Sequence, residues 1–254
     1  MRQRFFIVLL IMFSLNMTVN LRSAHADATR TIGSGDDYAT LKAAFDAINA
    51  GSVTGVITLQ LIGSTTETSS AVLNASGAGS ASYTSVTVYP TTTGLSISGN
   101  LSGPVIDLNG ADHVTIDGRV NATGLAMDMT IVNTRSNDDN QSTIRFTNDA
   151  TYNSIKYCRI KGSAYRDNYG ILVFSNAATS AGNSYNTIDH NEITNNNGYR
   201  PLNTVISTGN SSFPNRNNTI SNNNIHDVLN PNINHAFIIK LGIGGDGGQS
   251  YNDA

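Results

Sequence analysis

The chain has 254 residues, a formal net charge of −3, 13% charged residues, no tryptophan and a single cysteine. That balance offers no basic cluster for nucleic acid, and one cysteine excludes an intrachain disulfide framework. Asparagine supplies about one residue in eight, well above ordinary usage, and with Ser, Thr and Gly it favours short strands and turns over a helical core. Regularly spaced isoleucine and valine argue against disorder.

The N-terminus reads as an export signal. Arg2 and Arg4 precede an apolar run from Phe5 to Leu15, and Ala24-His25-Ala26 fits a small-x-small cleavage site. The expectation is a signal peptide over 1–26 and one domain over 27–254. The run is too short to cross a bilayer and no later stretch is longer. No membrane span is therefore expected after signal removal, and the destination is secreted or cell surface, extracellular and bacterial. Cys158 reads as a small buried filler.

Leu41, Ala44, Phe45 and Ile48 recur at helical spacing, which predicts a helix over about 37–49. Asp36 and Asp37 would complement its dipole, and Gly51 would stop it. Strand patterns follow at 55–62, 85–89, 94–97, 104–108, 113–117 and 129–132, punctuated by Gly, Pro and Asn. The tracts 75–82 and 133–142 read as loops.

Then one phrase recurs three times: Asn153-Ser-Ile155-Lys-Tyr-Cys158-Arg-Ile160, Asn186-Thr-Ile188-Asp-His-Asn191-Glu-Ile193 and Asn218-Thr-Ile220-Ser-Asn-Asn223-Asn-Ile225. The interval of about 33 residues marks stacked repeats. Two isoleucines five apart around a polar turn-former describe two short strands meeting at a bend. A third strand precedes each phrase, at 144–146, 171–173 and 205–207, and 237–239 opens a fourth coil. The fold expected is all-β: a right-handed parallel β-helix with an N-terminal capping helix and an incomplete C-terminal coil, part of a longer protein. The helix would cover the first coil, whose open edge would otherwise pair with other chains.

Stacking predicts columns. Ile155, Ile188 and Ile220 form one inward column, and Ile160, Ile193 and Ile225 another. Asn153, Asn186 and Asn218 form a polar ladder. Cys158, Asn191 and Asn223 form a second at the bend, where asparagine tolerates a left-handed backbone. Lys156 falls beside Asp189 and Arg159 beside Glu192. Asp189, His190 and Glu192 thus read as cross-coil partners rather than an acid-base cluster.

The segment Leu108-Asn-Gly-Ala-Asp-His-Val-Thr-Ile-Asp-Gly118, with the Asn-x-Ile coils after it, resembles the right-handed parallel β-helix superfamily of pectate lyases, polygalacturonases and phage tailspikes. With the helix and Thr65-Thr-Glu-Thr68, the chain also resembles the N-terminal β-helix region of large secreted bacterial surface proteins. The superfamily hosts lyases, hydrolases, adhesins and scaffolds. Arg159-Ile-Lys161 matches a short polygalacturonase element and Asp138-Asp139 its paired acids, but the Gly-His-Gly element is missing, and Arg-Ile-Lys fills a repeat slot also held by Glu-Ile-Thr and Asn-Ile-His.

The binding candidates lie on loops leaving consecutive coils: Tyr165 and Arg166, then Tyr199 and Arg200. Tyrosine can stack on a sugar while guanidinium bonds its hydroxyls or carboxylates. The function expected is an extracellular module for adhesion or glycan binding, its partner a polysaccharide or cell-surface glycan, with no cofactor, metal or catalytic set assigned. The alternative is a polysaccharide-degrading enzyme, lyase or glycoside hydrolase, completed by further C-terminal coils.

Overall fold

A computed structural model describes residues 27–136, 141–229, 236–241 and 252–253. The export-signal reading over 1–26, the Asp138-Asp139 pair and most of the incomplete-coil reading lie outside these residues.

The chain winds as a parallel β-solenoid, visiting three sheets in turn. The first sheet stacks Ala28–Ile32, Gly55–Leu61, Tyr83–Pro90, Val114–Asp117, Ser154–Lys156, Thr187–Asp189 and Thr219–Ser221. The second stacks Thr65–Glu67, Leu95–Gly99, Met129–Asn133, Cys158–Gly162, Glu192–Asn195 and Asn224–His226. The third stacks Ala71–Asn74, Pro104–Asn109, Ser142–Thr147, Leu172–Phe174, Asn203–Ser207 and Phe237–Leu241. Every pairing between these strands is parallel.

The predicted isoleucine columns are in register. Ile155 pairs Ile188 and Ile188 pairs Ile220, while Ile160 pairs Ile193 and Ile193 pairs Ile225. Both extend upstream, through Ile116 in one and Ile131 in the other. In the third sheet Leu172, not Ile171, lies between Ile144 and Val205, and Ile239, not Phe237, continues the column. Phe146 and Phe174 stack with ring centroids 4.6 Å apart. The inward residues form one continuous core, with Ile220 and Ile225 partly buried against it and Ile239 exposed at the end of its column.

The helix occupies Leu41–Asn49, starting four residues later than the sequence predicts. Thr40 caps it, accepting from Ala43 N at 3.1 Å. Asp37 instead accepts from the backbone and hydroxyl of Thr31 at 2.8 and 3.1 Å. The acid at the helix N-terminus is Glu67 of the second sheet, whose carboxylate accepts from Leu41 N at 3.1 Å and Lys42 N at 3.0 Å. A buried carboxylate thus ties cap to coil and complements the dipole. Gly51, at φ 72°, ends the helix, and Ser52 N donates to Ala47 O at 2.9 Å, a Schellman closure. Leu41, Ala44, Phe45 and Ile48 are buried.

The ladders hold the corners. Asn186 Oδ1 accepts from Asn153 N at 3.1 Å and Asn153 Nδ2 at 3.0 Å, while its Nδ2 donates to Ala150 O at 2.9 Å. Asn218 repeats the arrangement toward Asn186. At the other corner Asn191 Oδ1 accepts from Cys158 N, and Asn223 Oδ1 from Asn191 N and Nδ2. The left-handed residue is not the ladder position itself but the one before it: Tyr157, His190 and Asn222 lie at φ 53, 52 and 53°. Tyr152, Tyr185 and Asn217 do the same ahead of the other ladder, at φ 54, 58 and 52°. Each corner residue with a Cβ carries a conformational cost of about 1–2 kcal/mol. The buried amide bonds beside it offset that cost.

Asn186→Ala strands the Asn153 N–H and the Ala150 carbonyl inside the corner. Unfolding free energy falls by about 2–4 kcal/mol in chemical denaturation, whereas Asn218→Ala, on a half-buried rung, costs about 1 kcal/mol. Equal losses at the two positions would contradict the ladder account.

Candidate functional site

Beyond Gly162 the chain leaves the second sheet and arches through 163–170 to the third. One coil later 196–202 does the same, and Leu202 N donates to Ala164 O at 2.7 Å, setting the two loops side by side. Asn203 Nδ2 gathers the carbonyls of Arg166, Asp167 and Tyr169 at 3.2, 3.1 and 2.9 Å. Lys240 Nζ donates to Asp167 O at 3.1 Å. Val173 and Ile206 face away from the central core yet are buried, together with Ala164 and Leu202. The loops therefore rest on an apolar outer layer of the third sheet. Below them Arg145 holds the buried Asp107 carboxylate at 2.9 and 2.7 Å, and hydrogen bonding to that carboxylate raises the guanidinium pKa against the effect of burial.

Tyr165 and Tyr199 are each 44% exposed on these adjacent loops. Arg166 is exposed and its carbonyl is fixed by Asn203. Arg200 is drawn toward the following segment: Nη1 donates to Leu229 O at 2.7 Å and Nη2 lies 3.9 Å from Asp227. The four predicted residues thus share one side of the solenoid, with two tyrosines presented outward and one arginine anchored.

The charges between coils are paired, with one rearrangement. Arg159 meets Glu192 at 3.2 Å as expected. Glu192 also faces His226 Nε2 at 3.4 Å, and His226 Nδ1 is 2.9 Å from Asp227. The Asp227 carboxylate, and after it Glu192, raise the His226 pKa against the small effect of burial. Lys156 is in register with Asp189, but its ammonium lies 3.5 Å from Asp117, one coil in the other direction. Asp189 is taken up by Ser221 Oγ at 2.7 Å, His190 Nδ1 at 2.6 Å and Asn222 Nδ2 at 2.9 Å. The Ser221 bond foremost holds its pKa down at about 2. Sequence register finds neighbours in both directions along the stack and cannot choose between them. The already buried Asp117 wins the lysine because its desolvated charge gains most from a cation.

The sequence reading also missed what the left-handed corner residues do. Tyr152 stacks between His113 and Tyr185 at 5.4 and 5.0 Å, with interplanar angles of 14 and 8°. At the opposite corner Tyr157 stacks on His190 at 4.9 Å, with the Arg119 guanidinium 4.3 Å from its centroid. Equal spacing in the repeat was the available signal. The rings stack face to face along the solenoid axis, and Tyr152 is flanked by a ring on each side.

Arg159-Ile160-Lys161 is repeat architecture: Ile160 is core and Arg159 is paired across the coils. Cys158 is buried, and burial pushes its thiol far above the usual range. Asp149 accepts from the backbone N–H groups of Thr179, Ser180, Ala181 and Gly182. It organises the 179–182 turn. No protein-family model, no curated protein and no solved structure matches this chain.

Two measurements check the charge map. In double-mutant cycles, Lys156→Met couples with Asp117→Asn by about 0.5–1 kcal/mol, and with Asp189→Asn by about zero. Burial works to raise the Asp117 pKa, but the hydrogen bonds and charge of Arg119 and the charge of Lys156 outweigh it, and the net shift is downward. A carboxyl depressed on folding stabilises above its unfolded value of about 3.9 and loses that contribution as pH falls through the folded value. Unfolding free energy measured from pH 7 to pH 2 therefore declines below about pH 4, and Asp117→Asn shallows that decline.

Proposed function

We propose that this chain is an extracellular β-helix module for adhesion or glycan binding. The observation that carries the reading is the pair of outward tyrosines, Tyr165 and Tyr199, on hydrogen-bonded neighbouring loops above a packed bed. Amphipathic rings on a rigid support bind with little loss of conformational entropy, and sugars combine an apolar face with a hydroxyl edge. Arg200, anchored at its Nη1, has a fixed position from which to bond an acidic or hydroxyl group. The resemblance to the N-terminal β-helix regions of secreted bacterial surface proteins, and the export-signal pattern before Asp27, agree with this reading.

A glycan array probed with the mature chain tests it. Binding to a defined set of glycans is expected, with Tyr165→Ala and Tyr199→Ala each weakening it by roughly fivefold to tenfold, as loss of an aromatic contact of about 1 kcal/mol implies. Release of reducing ends or unsaturated uronates from polysaccharide, abolished by changing one acidic residue, would replace this reading with the enzymatic one.

A further inference from the structure

The outer face of the first sheet carries a hydroxyl column running the length of the solenoid. Thr29, Thr58, Thr87, Thr115, Ser154, Thr187 and Thr219 are in unbroken register. At the strand separation of about 4.8 Å this single file spans about 29 Å. None of its hydroxyls has a protein partner among the described residues, and all seven positions are exposed or half-buried.

That is unlike the other outward polar columns. Gln60 donates to the Tyr89 hydroxyl, Lys156 meets Asp117 and Ser221 donates to Asp189, all in the column two residues along. Thr66 bonds Ser98 on the second sheet, and Ser175 bonds Thr147 and Asn109 bonds Asn74 on the third. Each of those columns carries side-chain bonds from coil to coil. The hydroxyl file is left to whatever lies outside. Over three coils it runs between stacked corners, His113–Tyr152–Tyr185 on one side and Arg119–Tyr157–His190 on the other.

We propose that this face binds an uncharged, linear, β-linked glycan lying parallel to the solenoid axis. Charge complementarity selects a neutral occupant. Arg119 and Lys156 both meet Asp117, and Asp189 is held by Ser221, Asn222 and His190, so the two cations and two carboxylates leave no net charge beside the file. The uniform interval selects a linear occupant, because an extended β-linked chain advances one sugar in nearly the rise of one coil. Each Ser or Thr hydroxyl both donates and accepts, as sugar hydroxyls do. The ring ladders present edges and polar tips, which confine the chain laterally without stacking on it. This rests on the glycan-binding reading above but moves the principal contact from the loops to a sheet face.

The test uses the whole chain with cellotriose to cellohexaose in calorimetric titration, and with insoluble cellulose, mannan and chitin in depletion assays. Affinity is expected to rise with each added sugar, and the triple variant Thr115→Val, Ser154→Ala, Thr187→Val is expected to weaken binding about tenfold or more at an unchanged melting temperature. Thr187→Trp, which blocks the file, should abolish binding while Tyr165→Ala/Tyr199→Ala keeps the length dependence. Binding lost in the tyrosine variant and intact in the triple variant would overturn this proposal and leave the loop-based reading standing. No binding of these neutral glycans beside a positive array for other glycans would overturn it likewise, as would ice-crystal shaping without glycan binding. Failure of both the array and the depletion assays would remove both readings.

Discussion

The solenoid depends on the side-chain amide of a corner asparagine. A parallel β-coil must turn three times per circuit, and at each turn backbone N–H and C=O groups leave the sheet ladders while still buried. The amide of Asn186 answers both needs, accepting from the Asn153 backbone and donating to the Ala150 carbonyl. Asn191 does the same between the Cys158 N–H and the Ile155 carbonyl. Without such bonds each buried group would cost about 1–3 kcal/mol, several times over around the stack. Asn183 and Asn215 repeat the solution at a further corner, accepting from Ala150 N and Asn183 N and donating to Ser175 O and Phe174 O.

Once the corners are fixed, the outer faces are free to differ from sheet to sheet. The core is made by inward isoleucine, valine, leucine and phenylalanine columns. What faces out is then sorted by sheet. The third sheet is buried under loops that rest on Val173 and Ile206. The second carries the chain of charges from Arg159 through Glu192 and His226 to Asp227. The first is open and lined with hydroxyls. One scaffold therefore presents two unlike surfaces, tyrosine-bearing loops and an axial polar file.

Much of this was legible in the sequence because a stacked fold turns alignment into contact. The Asn153, Asn186, Asn218 ladder and the Asn191, Asn223 ladder follow from aligning three phrases, and so do the two isoleucine columns. Direction along the stack was not legible: register alone places Lys156 between Asp117 and Asp189, and only burial decides for Asp117. Nor was the acceptor at the helix start, since Glu67 reaches Leu41 from another coil and local rules point to Asp36 and Asp37. The left-handed corners were misassigned by one residue. Intrinsic preference favours asparagine there, but the ladder amide needs the position after the turn, and tyrosine, histidine or a second asparagine takes the strained one. The candidate loop residues were readable only as residue types, because which loops adjoin depends on contacts such as Leu202 to Ala164.

The most direct test of the amide-ladder account is residue-resolved hydrogen exchange of the corner amides of Asn153, Cys158, Asn186 and Asn191. These N–H groups are bonded not to strand carbonyls but to side-chain amides on the next coil, buried at Asn186 and Asn191 and half-buried at Asn218 and Asn223. The account predicts protection equal to that of the central strand amides of Ile155 and Ile188, with all of them exchanging only on global unfolding. Exchange at the rates of the exposed loop 163–170, while the strand amides remain protected, would contradict it.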